Sequence, residues 1–137
     1  MARELFLKEE RRTKGMRNMA DPRSVTVKYR DENEEVVEKP YPAAMSERFV
    51  AKDACSRKND FCWVHVNSTI WSHAEYLIHT AIGEQAAERL LYVVMTQFLS
   101  PRSGLRNARD ATVSACSYLY NKATCTRVRT ALRGVGL

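Results

Sequence analysis

The sequence predicts a mainly α-helical domain, with about four packed helices over residues 60–137 and a loop-rich segment over residues 1–59 before them. Three observations predict it. Apolar residues between positions 70 and 132 recur at helical spacing. The stretches that carry them are separated by short punctuation at Gly83, Ser100-Pro101 and Asn121. Pro22, Pro40 and Pro42 mark the earlier part as loop-like.

Within residues 1–59, Leu5, Phe6, Leu7, Met16 and Met19 are isolated apolar positions in a charged stretch. An alternation over Val25–Tyr29 predicts one short strand, and an acidic run from Asp31 to Glu35 follows it. The first helix is expected to start at Asn67 or Ser68, both good N-cap residues. Ile70, Trp71, Ala74, Leu77 and Ile78 then form one apolar stripe. Gly83 ends that helix. The second carries Ala87, Leu90, Leu91, Val94, Met95 and Phe98, and stops at Ser100 because Pro101 disfavours helix at the residue before it. Ser103 is expected to cap a third helix whose inner face is Leu105, Ala108, Thr112, Ala115, Cys116 and Leu119. Thr124 is expected to cap a last short helix bearing Val128, Ala131 and Leu132, ended by Gly134. Connections this short force neighbouring helices to pack against each other.

The 137 residues suffice for one modest domain, and the balance of 45% hydrophobic and 28% charged residues is ordinary for a globular chain. No apolar run approaches the ~18–20 residues of a membrane span. Met1 to Lys14 is charged throughout and lacks the apolar centre of a signal peptide. The net charge of +6 raises nucleic acid as a partner. The basic residues are dispersed, however, from Arg11 to Arg133, and no aromatic side chains alternate with them as stacking platforms. Nucleic-acid and membrane binding are therefore disfavoured.

Three histidines invite a metal reading. His73 and His79 are six positions apart, about 120° around a helix, whereas a chelating pair at i and i+4 is about 40° apart. They are read as helix-flank residues. His65 stands at a loop-to-helix junction, and Asp60 lies five residues before it. A carboxylate there can accept from one ring nitrogen and favour the charged imidazole; the alternative is a plain capping histidine. Cys55, Cys62, Cys116 and Cys125 contain no C-x-x-C, which argues against a zinc ribbon. Two local disulfides, Cys55–Cys62 and Cys116–Cys125, or four free thiols both fit.

Four segments, in order, resemble one family. Residues 60–78, DFCWVHVNSTIWSHAEYLI, are similar to the segment of thermolysin-like zinc metallopeptidases in which an aspartate, four residues and a histidine precede an asparagine-serine helix start. Residues 92–120, YVVMTQFLSPRSGLRNARDATVSACSYLY, resemble that family's helix ending in T-Q-Y-L-T-P and the helix after it. RTALRGVGL resembles its closing F-x-A-V-G-V, and Gly15 to Pro22, GMRNMADP, its L-R-S-M-S-D-P. The resemblance covers residues 15–22 and 60–137 and is to the C-terminal, helical domain. Residues 23–59 look like an insertion.

The resemblance implies a peptide or protein substrate and hydrolysis of its peptide bonds. It implies zinc held by an H-E-x-x-H helix and a further glutamate, neither of which occurs in this chain, so an N-terminal peptidase half is expected elsewhere. Calcium is also implied, with ligands mostly upstream; Glu4 lies near that region. His65 matches the histidine that stabilises the transition state, and Asp60 the carboxylate that orients it. Arg17 matches an arginine that binds the substrate carbonyl, and Met16 an apolar residue lining the pocket after the scissile bond. The structural alternatives are a salt-bridged Arg17 and a core Met16. Phe61, Cys62 and Trp63 depart from the small residues usual before the histidine, which implies a narrowed cleft. Secretion is implied by the family, and the isolated chain is expected to be inactive, with His65 facing a concave surface beside Arg17. The competing expectations are a stand-alone helical binding or regulatory module and a basic nucleic-acid-binding domain.

Overall fold

The alternation near Val25 builds a strand, and it has a partner. In the computed structural model, which describes residues 17–30 and 34–137, β1 (Thr26–Arg30) pairs antiparallel with β2 (Val36–Pro40), in the register Val27 with Lys39 and Tyr29 with Val37. Pro40 sits at the end of β2, where its missing N–H breaks no interior ladder. Met16, Glu4 and the apolar positions 5–7 lie outside the described residues, as do residues 31–33 of the acidic run.

Four α-helices follow: α1 (Asp60–Ile82), α2 (Glu84–Val93), α3 (Leu105–Leu119) and α4 (Lys122–Gly134). Helix α1 starts seven residues before the expected cap at Asn67. Its first residues are a left-handed turn, with positive φ from Asp60 to Trp63, and right-handed helix takes over after it. Asn67 and Ser68 therefore lie inside the helix. Gly83 separates α1 from α2 at φ 86°, a conformation that glycine adopts without penalty. After Val93 the chain widens into one π-helical turn, Val94–Phe98, before the stop at Ser100-Pro101. Ser103 does not cap α3. Its Oγ accepts from the Ser100 N–H, while the Gly104 N–H donates to Asn107 Oδ1 at the helix start. Asn121, not Thr124, caps α4: its Oδ1 accepts from the Thr124 N–H at 2.9 Å.

The core lies where α1 meets α2 and α4, and where α3 closes against α4 and α2. Ile70, Ala74 and Ile78 from α1 are fully buried with Ala87, Leu90 and Val94, Ala115 and Cys116, Val128, Leu132 and Val135. Each large aliphatic side chain buried this way contributes about 1.5–3 kcal/mol. Cys116 and Cys125 form a disulfide across the α3–α4 turn, with Cα atoms 5.6 Å apart, and Cys55 and Cys62 form a second, at 4.8 Å.

Residues 41–49 are tied to this core by polar contacts. The Thr69 hydroxyl donates to the Pro42 carbonyl, and the Met45 N–H to the Val135 carbonyl. Gly136, at φ 78°, lets the C-terminal residues pass close to Met45; a Cβ there would stand 3.2 Å from the Met45 Cβ.

Candidate functional site

His65 and Asp60 meet across the left-handed turn. His65 Nδ1 is 2.5 Å from Asp60 Oδ1, while Asp60 Oδ2 accepts from the backbone N–H of His65 at 3.0 Å and of Val66 at 3.2 Å. Those two N–H groups are among the unpaired donors that begin any right-handed helix. The carboxylate thus caps α1 and holds the imidazole at once. Burial alone raises the Asp60 pKa, but the His65 ring and the two N–H donors outweigh it, and the net value lies below the ordinary aspartate range. An ionised carboxylate can only accept, so Nδ1 carries the proton and Nε2 is left for a partner outside the pair. The His65 side chain is 72% exposed. An ion pair so open contributes about 0–1 kcal/mol to stability, so its value is orientation.

The turn that sets this geometry is costly. Asp60, Phe61, Cys62 and Trp63 have φ of 51°, 50°, 65° and 62°. Left-handed backbone costs a residue with a Cβ about 1–2 kcal/mol, on the order of 4–8 kcal/mol for four in succession. Several contacts oppose it. Asn59 Oδ1 accepts from the Cys62 and Ser56 N–H groups, and the Phe61 N–H donates to the Ser56 carbonyl. Cys62 is bonded to Cys55. The Trp63 ring lies 4.9 Å from Tyr29 on β1 and 5.5 Å from Phe49, with Lys39 of β2 over the other two rings. Trp63 thus joins β1 to α1.

Arg17 stands beside His65. Its Nη2 donates to the His65 carbonyl and its Nη1 to Ser68 Oγ, both at 2.9 Å; the Ser68 hydroxyl in turn donates to the His65 carbonyl. Two of the five N–H groups of the guanidinium are thereby used to seat it on the first turn of α1. Met16, next in the chain, lies outside the described residues. Ser68 and Asn59 are recognisable in sequence only as ordinary capping types, and no motif marks Phe49.

His73 and His79 take no part. His73 Nδ1 donates to the Met19 carbonyl at 2.7 Å. His79 lines a cavity of about 290 Å³ with Trp71 and Glu75. Burial raises the Glu75 pKa, against the opposing effects of the Trp71 indole N–H and of His79. A second cavity, of about 430 Å³, is lined by Arg48, Arg106 and Arg109. Neither of these two cavities includes His65. Among the described residues, no three His, Cys, Asp or Glu side chains come together to hold a metal ion. The described residues therefore do not fit a zinc or calcium site.

The chain that builds these helices matches a known domain. The family described as "Thermolysin metallopeptidase, alpha-helical domain" matches residues 3–137. The chain belongs to this thermolysin-like metallopeptidase family. It is 35% identical over 78 residues to a bacillolysin of Bacillus amyloliquefaciens, a match spanning 57% of this chain and 15% of that protein. It is 30% identical over 80 residues to neutral protease NprE of Bacillus pumilus, spanning 58% of this chain and 27% of that one. A solved structure of a precursor of protealysin, a metalloproteinase from Serratia proteamaculans, superposes with a TM-score of 0.69 at 25% identity, covering 90% of this chain and 36% of that chain. This thermolysin-like helical domain thus spans a minor part of each relative. Among its described residues, no helix is long and apolar enough to cross a membrane.

Proposed function

We propose that this chain supplies one wall of a peptidase active site, and that His65 stabilises the transition state of peptide-bond hydrolysis. The observation that carries this is the 2.5 Å contact between His65 Nδ1 and Asp60 Oδ1, with the imidazole otherwise exposed. As the scissile carbonyl is attacked, negative charge develops on its oxygen. A charged imidazole donating from Nε2 to that oxygen gains strength only as the charge appears, which lowers the barrier without tightening ground-state binding. Asp60, by accepting from Nδ1–H, favours the doubly protonated ring that this requires and fixes its orientation. Arg17, seated on the His65 carbonyl and Ser68, is the donor for the substrate carbonyl beside the cleavage point. Met16 is proposed to line the pocket for the side chain after the scissile bond.

The isolated chain is proposed to be inactive, because a catalytic zinc needs three protein ligands and an open position. Two disulfides among the described residues support a place in an oxidising compartment outside the cytosol. One relative, 30% identical over 89 residues, is an extracellular elastase of Staphylococcus epidermidis. The test is complementation. Joined to the N-terminal half of a family member, the chain should cleave a peptide substrate; alone, it should not. Chelator-sensitive cleavage by the isolated chain would contradict the half-site reading.

A further inference from the structure

The left-handed turn before His65 contains no glycine. Asp60, Phe61, Cys62 and Trp63 all carry a Cβ, and all have φ between 50° and 65°. A chain free to relax would leave this conformation, because the side chains crowd the following carbonyls. Relaxation would swing Asp60 away from the N-terminus of α1. Its carboxylate reaches His65 Nδ1 and the N–H groups of His65 and Val66 because Phe61, Cys62 and Trp63 curl the chain back.

Two anchors stand at the middle and the end of the turn. Cys62 is bonded to Cys55, seven residues earlier, so the segment 55–62 is a closed covalent ring. Inside that ring Asn59 binds the N–H groups of Ser56 and Cys62 and the Ala54 carbonyl. Trp63, next in the chain, is fixed against Tyr29 and Phe49, which belong to the hairpin and to the strap that follows it. Trp63 is thus immobilised from one side and Cys62 from the other.

We propose that the Cys55–Cys62 disulfide and the Trp63 aromatic contacts are positioning devices that hold a glycine-free left-handed turn, so that Asp60 stays bound to the His65 imidazole. The importance of this for catalysis rests on the function proposed above; the positioning itself does not. It also assigns a purpose to the paired strands β1 and β2, which supply one face of the Trp63 contact.

The test uses the whole chain and reads His65 directly. Long-range nitrogen–proton NMR reports whether the imidazole is protonated at Nδ1, and a hydrogen-bonded Nδ1–H gives a proton signal far downfield. The signal is assigned by its absence in His65→Ala. His73, whose Nδ1 donates to the Met19 carbonyl, is the internal control. Cys55→Ser/Cys62→Ser should lose the His65 signal, keep the His73 signal and keep the backbone resonances of the core around Ile78 and Leu90. Cys55→Ser/Phe61→Gly/Cys62→Gly also lacks the bridge, but glycine enters left-handed backbone freely; it should regain the His65 signal. Retention of the signal in the double serine variant would overturn the proposal. So would failure of the glycine variant to restore it over an intact core, or collapse of the core in both. If the signal behaves as expected but His65→Ala leaves the rate of the joined enzyme unchanged, the catalytic reading fails and the clamp stands.

Discussion

Asn67 exchanges two hydrogen bonds with the backbone of Phe49: its Oδ1 accepts from the Phe49 N–H and its Nδ2 donates to the Phe49 carbonyl, both at 2.9 Å. One amide side chain therefore acts as a short piece of sheet edge, pinning the strap that carries Phe49 to α1. Asn67→Ala would leave a partly buried N–H and carbonyl unpaired, at a cost of about 1–3 kcal/mol each if water does not replace the partner. Urea denaturation should show a loss in this range. Amide exchange should quicken first in residues 41–49. An unchanged midpoint would mean that the strap is held by other contacts.

Asp60 makes stability depend on acidity. Its folded pKa is below the ordinary aspartate value, so its contribution is fully present above that ordinary value and is lost as the pH falls through the lowered one. Asp60→Ala should destabilise the chain by about 1–2 kcal/mol at neutral pH, the cost of a missing helix cap. The difference from wild type should shrink below pH ~4. A constant difference from neutral to strongly acidic pH would show that the carboxylate charge is not what caps α1.

Glu75 acts in the other direction. Burial raises its pKa, so the charged form is disfavoured in the fold. The penalty is present when the pH exceeds the raised value and vanishes below the ordinary glutamate value. Glu75→Gln keeps an acceptor for the Trp71 indole and should raise the melting temperature at pH 7–8, with the gain disappearing near pH 4. A lower melting temperature at neutral pH would show that the attraction to His79 exceeds the cost of burial.

The Cys116–Cys125 bridge closes a loop with a sequence separation of nine. Cross-linking a loop of this length stabilises by about 2–3 kcal/mol in the chain-entropy description. Cys116→Ala/Cys125→Ala should lose at least that much, because both sulfur atoms also fill the core. Denaturation of the intact and doubly substituted chains measures it directly.

Helix faces were readable because core burial imposes its own period: Ile70, Ala74 and Ile78, or Val128, Ala131 and Leu132, can be inner residues only on one register. Helix starts were harder. Asn121 and Thr124 are both capping residues three positions apart, and sequence does not say which is outside the helix. The start of α1 was missed for a different reason. No local preference places Phe61, Cys62 and Trp63 in left-handed backbone; a disulfide and an aromatic contact to a hairpin override preference there. Trp63 itself packs against Tyr29 and Phe49, while Phe61 remains exposed. Strand β2 is not legible in the sequence because two valines beside Glu38 and Pro40 are too short a signal without a partner. The cysteine pairs were recognisable as candidates because each encloses a short loop at the end of a helix.

The central claim is that His65 acts on the transition state. The most direct measurement is the steady-state rate of this chain joined to a family N-terminal half, with and without His65→Ala. Loss of one such donor in a preorganised site costs on the order of 100–1,000-fold in kcat. The expected result is a fall of that size in kcat with KM changed only slightly. Equal kcat values for the two proteins, or a change confined to KM, would contradict the role of His65.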